Sequence, residues 1–192
     1  MLPHPIAARR GGAVVKAKER VMWVLGFFAL VAAIVAAISF AKMMGIRGAP
    51  DSPLVGSDAP SIALPQVPSD ETVDTGELEG EVVLLDFWAS WCGPCRQSIP
   101  ALNQVHERYQ GRIRMYGVNL DHGMDVAGVQ RAHRSFGAQF PSLRDVGGAA
   151  QSAYMVQSIP TLVLIDREGV IRHVQMGVPD PDRVADRIDD LL

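Results

Sequence analysis

Cysteine is scarce in this chain: there are two among 192 residues, Cys92 and Cys95. A bond between them closes so small a loop that it removes little entropy from the unfolded chain, which speaks against a disulfide-stapled scaffold. Lysine is missing altogether beyond residue 47. Residues 48–192 hold 11 arginines against 20 acidic residues, a net of −9. So acidic a stretch lacks the positive footprint that nucleic acids require, and no nucleic-acid partner is expected. No second cysteine pair accompanies the first, and His106, His122, His133 and His173 show no ligand spacing. A tetrahedral zinc site therefore lacks donors, and neither a metal nor a cofactor is expected.

Charge is also absent from residues 21–40, VMWVLGFFALVAAIVAAISF. As a helix rising about 1.5 Å per residue, this run reaches roughly 30 Å, the thickness of a bilayer's hydrocarbon core. Residues 1–20 carry Arg9, Arg10, Lys16, Lys18 and Arg20 against Glu19, a net of +4, and the positive-inside rule keeps that end in the cytoplasm. Ser39–Ala41 loosely fits a cleavage site, but the run exceeds the roughly 7–15 residues of a signal-peptide core. The chain is thus expected to carry a cytoplasmic basic tail (1–20), a single transmembrane anchor (21–40), a Gly/Pro-rich linker (41–60) and an exported domain (61–192).

Within that domain, SIAL and ETVDT predict a short hairpin. The continuous apolar run VVLLDF, residues 82–87, predicts a central strand covered on both faces. Ile99, Leu102 and Val105 then recur at helical spacing, with Pro100 expected to kink the helix. RIRMYGVNL predicts a second strand, MDVAGVQRAHRSFG an inserted helix and GGAAQSAYMV a short one. TLVLID, the turn REG and VIRHVQ read as an antiparallel hairpin. A last helix follows, with Asp180 as N-cap and Pro181 in its first turn. Helices interleaved with apolar strands imply a three-layer α/β fold around a mixed sheet.

The cysteines fall where the first central strand gives way to a helix. Unpaired backbone N–H groups and the helix dipole favour negative charge there, and cysteine pKa values in Cys-x-x-Cys settings fall from about 8.5 to ~3.5–7.5. Cys92 is the expected nucleophile. Cys95, one turn on, is placed to attack a mixed disulfide formed at Cys92. Gly93 is expected to permit a tight turn and Pro94 to suit the first helical turn. Asp86, inside the apolar strand, is expected to have its pKa raised by burial and to serve Cys95 as proton acceptor and donor. A Cu(I)-binding metallochaperone is the alternative reading, because soft thiolates suit Cu(I). A thiol peroxidase fits less well, since the reactive cysteine lies in a Cys-x-x-Cys pair.

FWASWCGPC resembles the active-site segment of the thioredoxin superfamily. GSDAPSIAL, YGVNLD and FPSLRDVGGAAQSAYMVQSIPTLVLIDREGVI extend the resemblance to its membrane-tethered TlpA/ResA-like branch, which includes the cytochrome c maturation thioredoxins. The resemblance implies a thioredoxin fold with an N-terminal hairpin and a helical insertion. It also implies a cis-proline at Pro160, whose neighbour Ile159 offers backbone to an extended substrate. Trp91 is expected to cover the dithiol and Trp88 to pack near it. Thioredoxins carry an aspartate where Asp86 stands, whereas TlpA/ResA-like proteins often have a neutral residue there. The branch's frequent glutamate three residues after the second cysteine is here Ser98, and the lysine that often partners the aspartate is missing.

The implied activity is thiol–disulfide exchange in the periplasm, on the outer face of a bacterial inner membrane. The Gly-Pro dipeptide resembles that of reducing thioredoxins, which poise at about −270 mV, and so points to a protein-disulfide reductase. Its expected partners are extracytoplasmic protein thiols and disulfides, such as apocytochrome c or copper-centre apoproteins, and a membrane dithiol electron donor.

Overall fold

The computed structural model describes residues 23, 25–36, 39, 52–69 and 71–192. The chain divides into two units, residues 1–49 and 50–192. In the first, α1 is helical over residues 25–36, and Leu25, Phe27, Phe28, Leu30 and Ile34 are exposed. Among the described residues no helix is long and apolar enough to cross a membrane. The expected basic tail lies outside the described residues, as do several positions of the expected anchor and residues 41–51 of the linker.

The second unit holds a seven-stranded mixed sheet. Its strands are β1 (Ala63–Val67), β2 (Thr72–Asp74), β3 (Val83–Trp88), β4 (Arg114–Asn119), β5 (Ser142–Arg144), β6 (Thr161–Ile165) and β7 (Ile171–Met176). Their order is β2-β1-β5-β4-β3-β6-β7. Strands β3, β4 and β5 run parallel, and β1, β6 and β7 pair antiparallel with their neighbours. The α-helices of this unit are α2 (Gly93–Arg108), α3 (Val126–Ser135), α4 (Ala149–Ala153) and α5 (Pro181–Asp189).

Strand β3 is buried along its whole length because both faces are covered. Alternate side chains point to opposite faces. Val83, Leu85 and Phe87 join a core with Ala150 and Tyr154 from the α4 side. Leu84 packs on the other face with Ile99, Leu102 and Val105 of α2 and Val184 and Ile188 of α5. Asp86 and Trp88 share that second face by the same alternation. The expected three-layer thioredoxin-like arrangement, with hairpin and inserted helix, is the one observed.

Two local features differ from expectation. Strand β5, only three residues long, is not legible in SLR, yet it joins the N-terminal hairpin to β4. Residues 52–60, expected to be the end of a linker, are already bound into the domain. Gly56 N–H donates to Ile171 O and Ala59 N–H to Gly169 O, both at 2.8 Å, while Leu54 and Val55 pack on the core. Helix α2 runs through Pro100, which lies on its exposed side. At the C-terminal end, the Asp180 carboxylate caps α5 as expected, accepting from the N–H groups of Asp182 and Arg183.

Candidate active site

Buried β3 ends at Trp88, and four residues later Cys92 is the N-cap of α2. The Cys92 backbone is extended, and its sulfur accepts the Cys95 N–H at 3.1 Å. One of the donors that a helix start leaves unpaired is thus aimed at the first sulfur, the arrangement that favours a thiolate there. The two cysteines form a disulfide. Cys95 is fully buried, whereas Cys92 keeps 4% exposure, so approach from solvent favours Cys92. Pro94 falls in the first turn as expected. Gly93 is the first helical residue and is not among the glycines with positive φ, so the expected tight turn does not need it.

The loop before Cys92 is held by a residue that the sequence did not single out. Asp121, just beyond β4, accepts the Ser90 N–H at 2.8 Å and the Ser90 hydroxyl at 2.9 Å. Asn119 donates to the same carboxylate at 2.7 Å. Trp91 is 72% exposed beside the motif. Trp88 is fully buried, packs in one cluster with Cys92, Cys95 and Val129, and donates its Nε1–H to Ser142 Oγ at 3.1 Å. His133 of the inserted helix lies against the Trp88 ring, with centroids 5.0 Å apart, and Phe136 meets it edge-on.

The Ile159–Pro160 bond is cis. Pro160 is buried, and Ile159 packs against the cluster that contains both cysteines. Beside them opens a groove of about 400 Å³ lined by Trp91, Leu120, His122, Val156 and Ile159. No carboxylate or guanidinium lines it. A larger groove, about 660 Å³, between β7 and α5 contains none of these residues. A second cis-proline follows Val67, which packs in the cysteine cluster.

Asp86 is 1% exposed, and burial pushes its carboxyl up to about 7. It sits on the sheet face covered by the helix that carries Cys95. His133 is pushed the other way, down to about 4, because burial penalises its charged form. Ser98, where the resembling branch often has glutamate, is buried and donates its hydroxyl to Pro94 O at 3.3 Å. Among the described residues, no group of three or more His, Cys, Asp or Glu side chains converges as a metal site.

Two sulfurs that bond to each other, one at a helix start and one sealed beneath it, suit a reaction in which electrons pass in pairs between disulfides. On this sheet that chemistry defines a thioredoxin-fold thiol–disulfide oxidoreductase. The chain belongs to the AhpC/TSA family, whose sequence pattern matches residues 55–174. It is 31% identical to the thioredoxin-like protein YneN of Bacillus subtilis over 135 residues, 70% of this chain and 78% of that one. It is 28% identical to the thiol-disulfide oxidoreductase ResA of Oceanobacillus iheyensis over 162 residues, covering 82% and 83% of the two chains. Among solved structures, a Chlorobium tepidum protein assigned as thiol:disulfide interchange protein DsbE superposes with a TM-score of 0.62 at 35% identity. That match covers 74% of this chain and 97% of the other.

Proposed function

We propose that this protein is a membrane-tethered reductase of disulfides in proteins outside the cytoplasm, using Cys92 as nucleophile and Cys95 as resolving thiol. The observation that carries the reading is the Cys92–Cys95 bond at the leading edge of α2, next to Ile159 and the cis Pro160. In the reduced protein the Cys92 thiolate attacks one sulfur of a substrate disulfide, and the other substrate sulfur leaves as a thiolate. Cys95 then gives its proton to Asp86 and attacks Cys92 Sγ. The Cys92–substrate bond breaks, the second substrate thiolate departs, and the Cys92–Cys95 disulfide forms. Two electrons from a membrane dithiol carrier restore the pair.

The N-terminal run supports the tether. It carries no charged residue over positions 21–40, so it lacks the polar face of a soluble amphipathic helix. The groove beside Cys92, with no carboxylate or guanidinium in its lining, suits a segment without strong charge around a substrate cysteine, and apocytochrome c or a copper-centre apoprotein is the client class we favour. No observation favours the Cu(I)-chaperone alternative. The test is covalent trapping with the full chain. Cys95→Ser should accumulate mixed disulfides between Cys92 and extracytoplasmic proteins, and Cys92→Ser should trap none. Equal yields from the two variants would refute the assignment of nucleophile and resolver.

A further inference from the structure

Two buried atoms on one face of the sheet, Asp86 Oδ2 and His133 Nε2, meet no hydrogen-bond partner. The residues are 1% and 8% exposed and come from different elements, β3 and the inserted helix α3. Gly117 brings them together. It is the in-register partner of Asp86 on the neighbouring parallel strand, so a side chain there would share Asp86's face. His133 Nε2 stands 3.4 Å from where a Gly117 Cβ would be. The Trp88 indole lies closer still, with Nε1 at 2.9 Å and Cδ1 at 3.2 Å, so imidazole and indole together close over the glycine, on the face that Asp86 occupies one strand away. Two unpartnered buried polar atoms over neighbouring strands of one sheet face are the kind of groups that one bridging water joins.

Each surrounding element presents few competing groups. Helix α2 brings Cys92, Cys95 and Ser98, with the sulfurs joined and Ser98 engaged at Pro94 O. Strand β5 brings Ser142, which receives Trp88 Nε1–H, and Arg144, which donates to Met124 O at 2.7 Å. Strand β6 brings apolar Leu162. His106 of α2 stands across Phe140, which separates it from His133. Of these groups, His133 is the one with an unengaged ring nitrogen over Gly117.

We propose that His133 is a positioning residue for Asp86, donating a hydrogen bond from Nε2–H, directly or through one water, to the carboxylate that accepts the Cys95 proton. An unpaired carboxylate in this site would be costly, and the donor makes the basic form accessible. Burial leaves His133 uncharged near neutral pH, so a neutral imidazole senses the loss of the Asp86 proton.

The experiment uses the full, oxidised chain in detergent with labelled histidine and with carboxyl-labelled aspartate, so that Asp86 is read directly in every variant that retains it, followed by NMR from about pH 5.5 to about pH 9, across the midpoint near 7 of Asp86. The His133 ring nitrogens should show a step at the Asp86 midpoint, and Asp86→Asn should remove it. His133→Phe, which keeps an aromatic ring against Trp88, should raise the Asp86 midpoint by about one unit, a tenfold shift, with His133→Gln largely restoring it. A flat His133 response in the unaltered chain overturns the proposal, as does an Asp86 midpoint that ignores His133→Phe. Should His133→Phe fail to fold, the comparison with Asp86→Asn decides alone. The catalytic consequence rests on Asp86 as the Cys95 proton acceptor. An exchange rate unmoved by Asp86→Asn would end that reading while leaving the NMR coupling standing.

Discussion

Ser90 gives both its backbone N–H and its hydroxyl to the carboxylate of Asp121, two residues before Cys92. The loop that delivers Cys92 is therefore clamped to the end of β4 and not only to the strand it leaves. Hydrogen bonds to a charged acceptor contribute about 1.5–3 kcal/mol each, less where partly solvated. Asp121→Ala should thus cost roughly 1–3 kcal/mol and slow disulfide exchange by loosening Cys92, with Asp121→Asn recovering part of both. Denaturant unfolding and insulin-reduction rates check this. Unchanged stability in Asp121→Ala would show that the clamp contributes nothing.

Asp86 and His133 should impose opposite pH dependences on stability. The folded-state pKa of Asp86 is raised to about 7, so the native state holds the proton more tightly than the unfolded chain. Its contribution is fully present below about pH 4 and is lost as pH rises through 7, up to roughly 4 kcal/mol. The His133 value is depressed from 6.5 to about 4. Its contribution is present above pH 6.5 and is lost as pH falls toward 4, up to roughly 3 kcal/mol. Between about pH 4 and 6.5 the two slopes offset each other. Unfolding free energy should rise with pH over that window in Asp86→Asn and fall in His133→Phe. Parallel curves for the two variants would contradict the burial of one group or the other.

Gly117 is needed for space. A Cβ there would lie 2.9 Å from Trp88 Nε1 and 3.2 Å from Trp88 Cδ1, with the indole fixed by Ser142. Gly117→Ala should destabilise by about 1–3 kcal/mol through overpacking and shift Trp88 fluorescence. Gly93→Ala is the control, since nothing lies within 4 Å of its Cβ position. Equal melting temperatures for both variants would remove the crowding argument.

The uncharged run at residues 21–40 should hold the full chain in membranes through alkaline carbonate washing. Sedimentation followed by mass measurement reads this. Release of a chain shortened near Ala41 would identify a cleaved leader instead.

The motif, the hairpins and the main helices were legible because each is encoded locally, by alternation, helical spacing or capping residues. Asp180 and Pro181 marked the start of α5 to the residue. Burial of Asp86 could be read from its apolar neighbours, and the cis-proline from family resemblance. What escaped notice depends on distant partners. Strand β5 is too short to show a period and exists because β1 and β4 flank it. Asp121 reads as an ordinary turn residue until Ser90, 31 positions away, arrives beside it. His133 reads as an isolated histidine, because nothing in its own helix reveals that it rests on Trp88 and borders the space over Gly117.

Alkylation of Cys92 as a function of pH, in a Cys95→Ser chain where it is the sole thiol, tests the central claim most directly. A sulfur that caps a helix and accepts a backbone N–H should titrate below about 7.5. A midpoint at or above the value of about 8.5 for free cysteine would contradict the account.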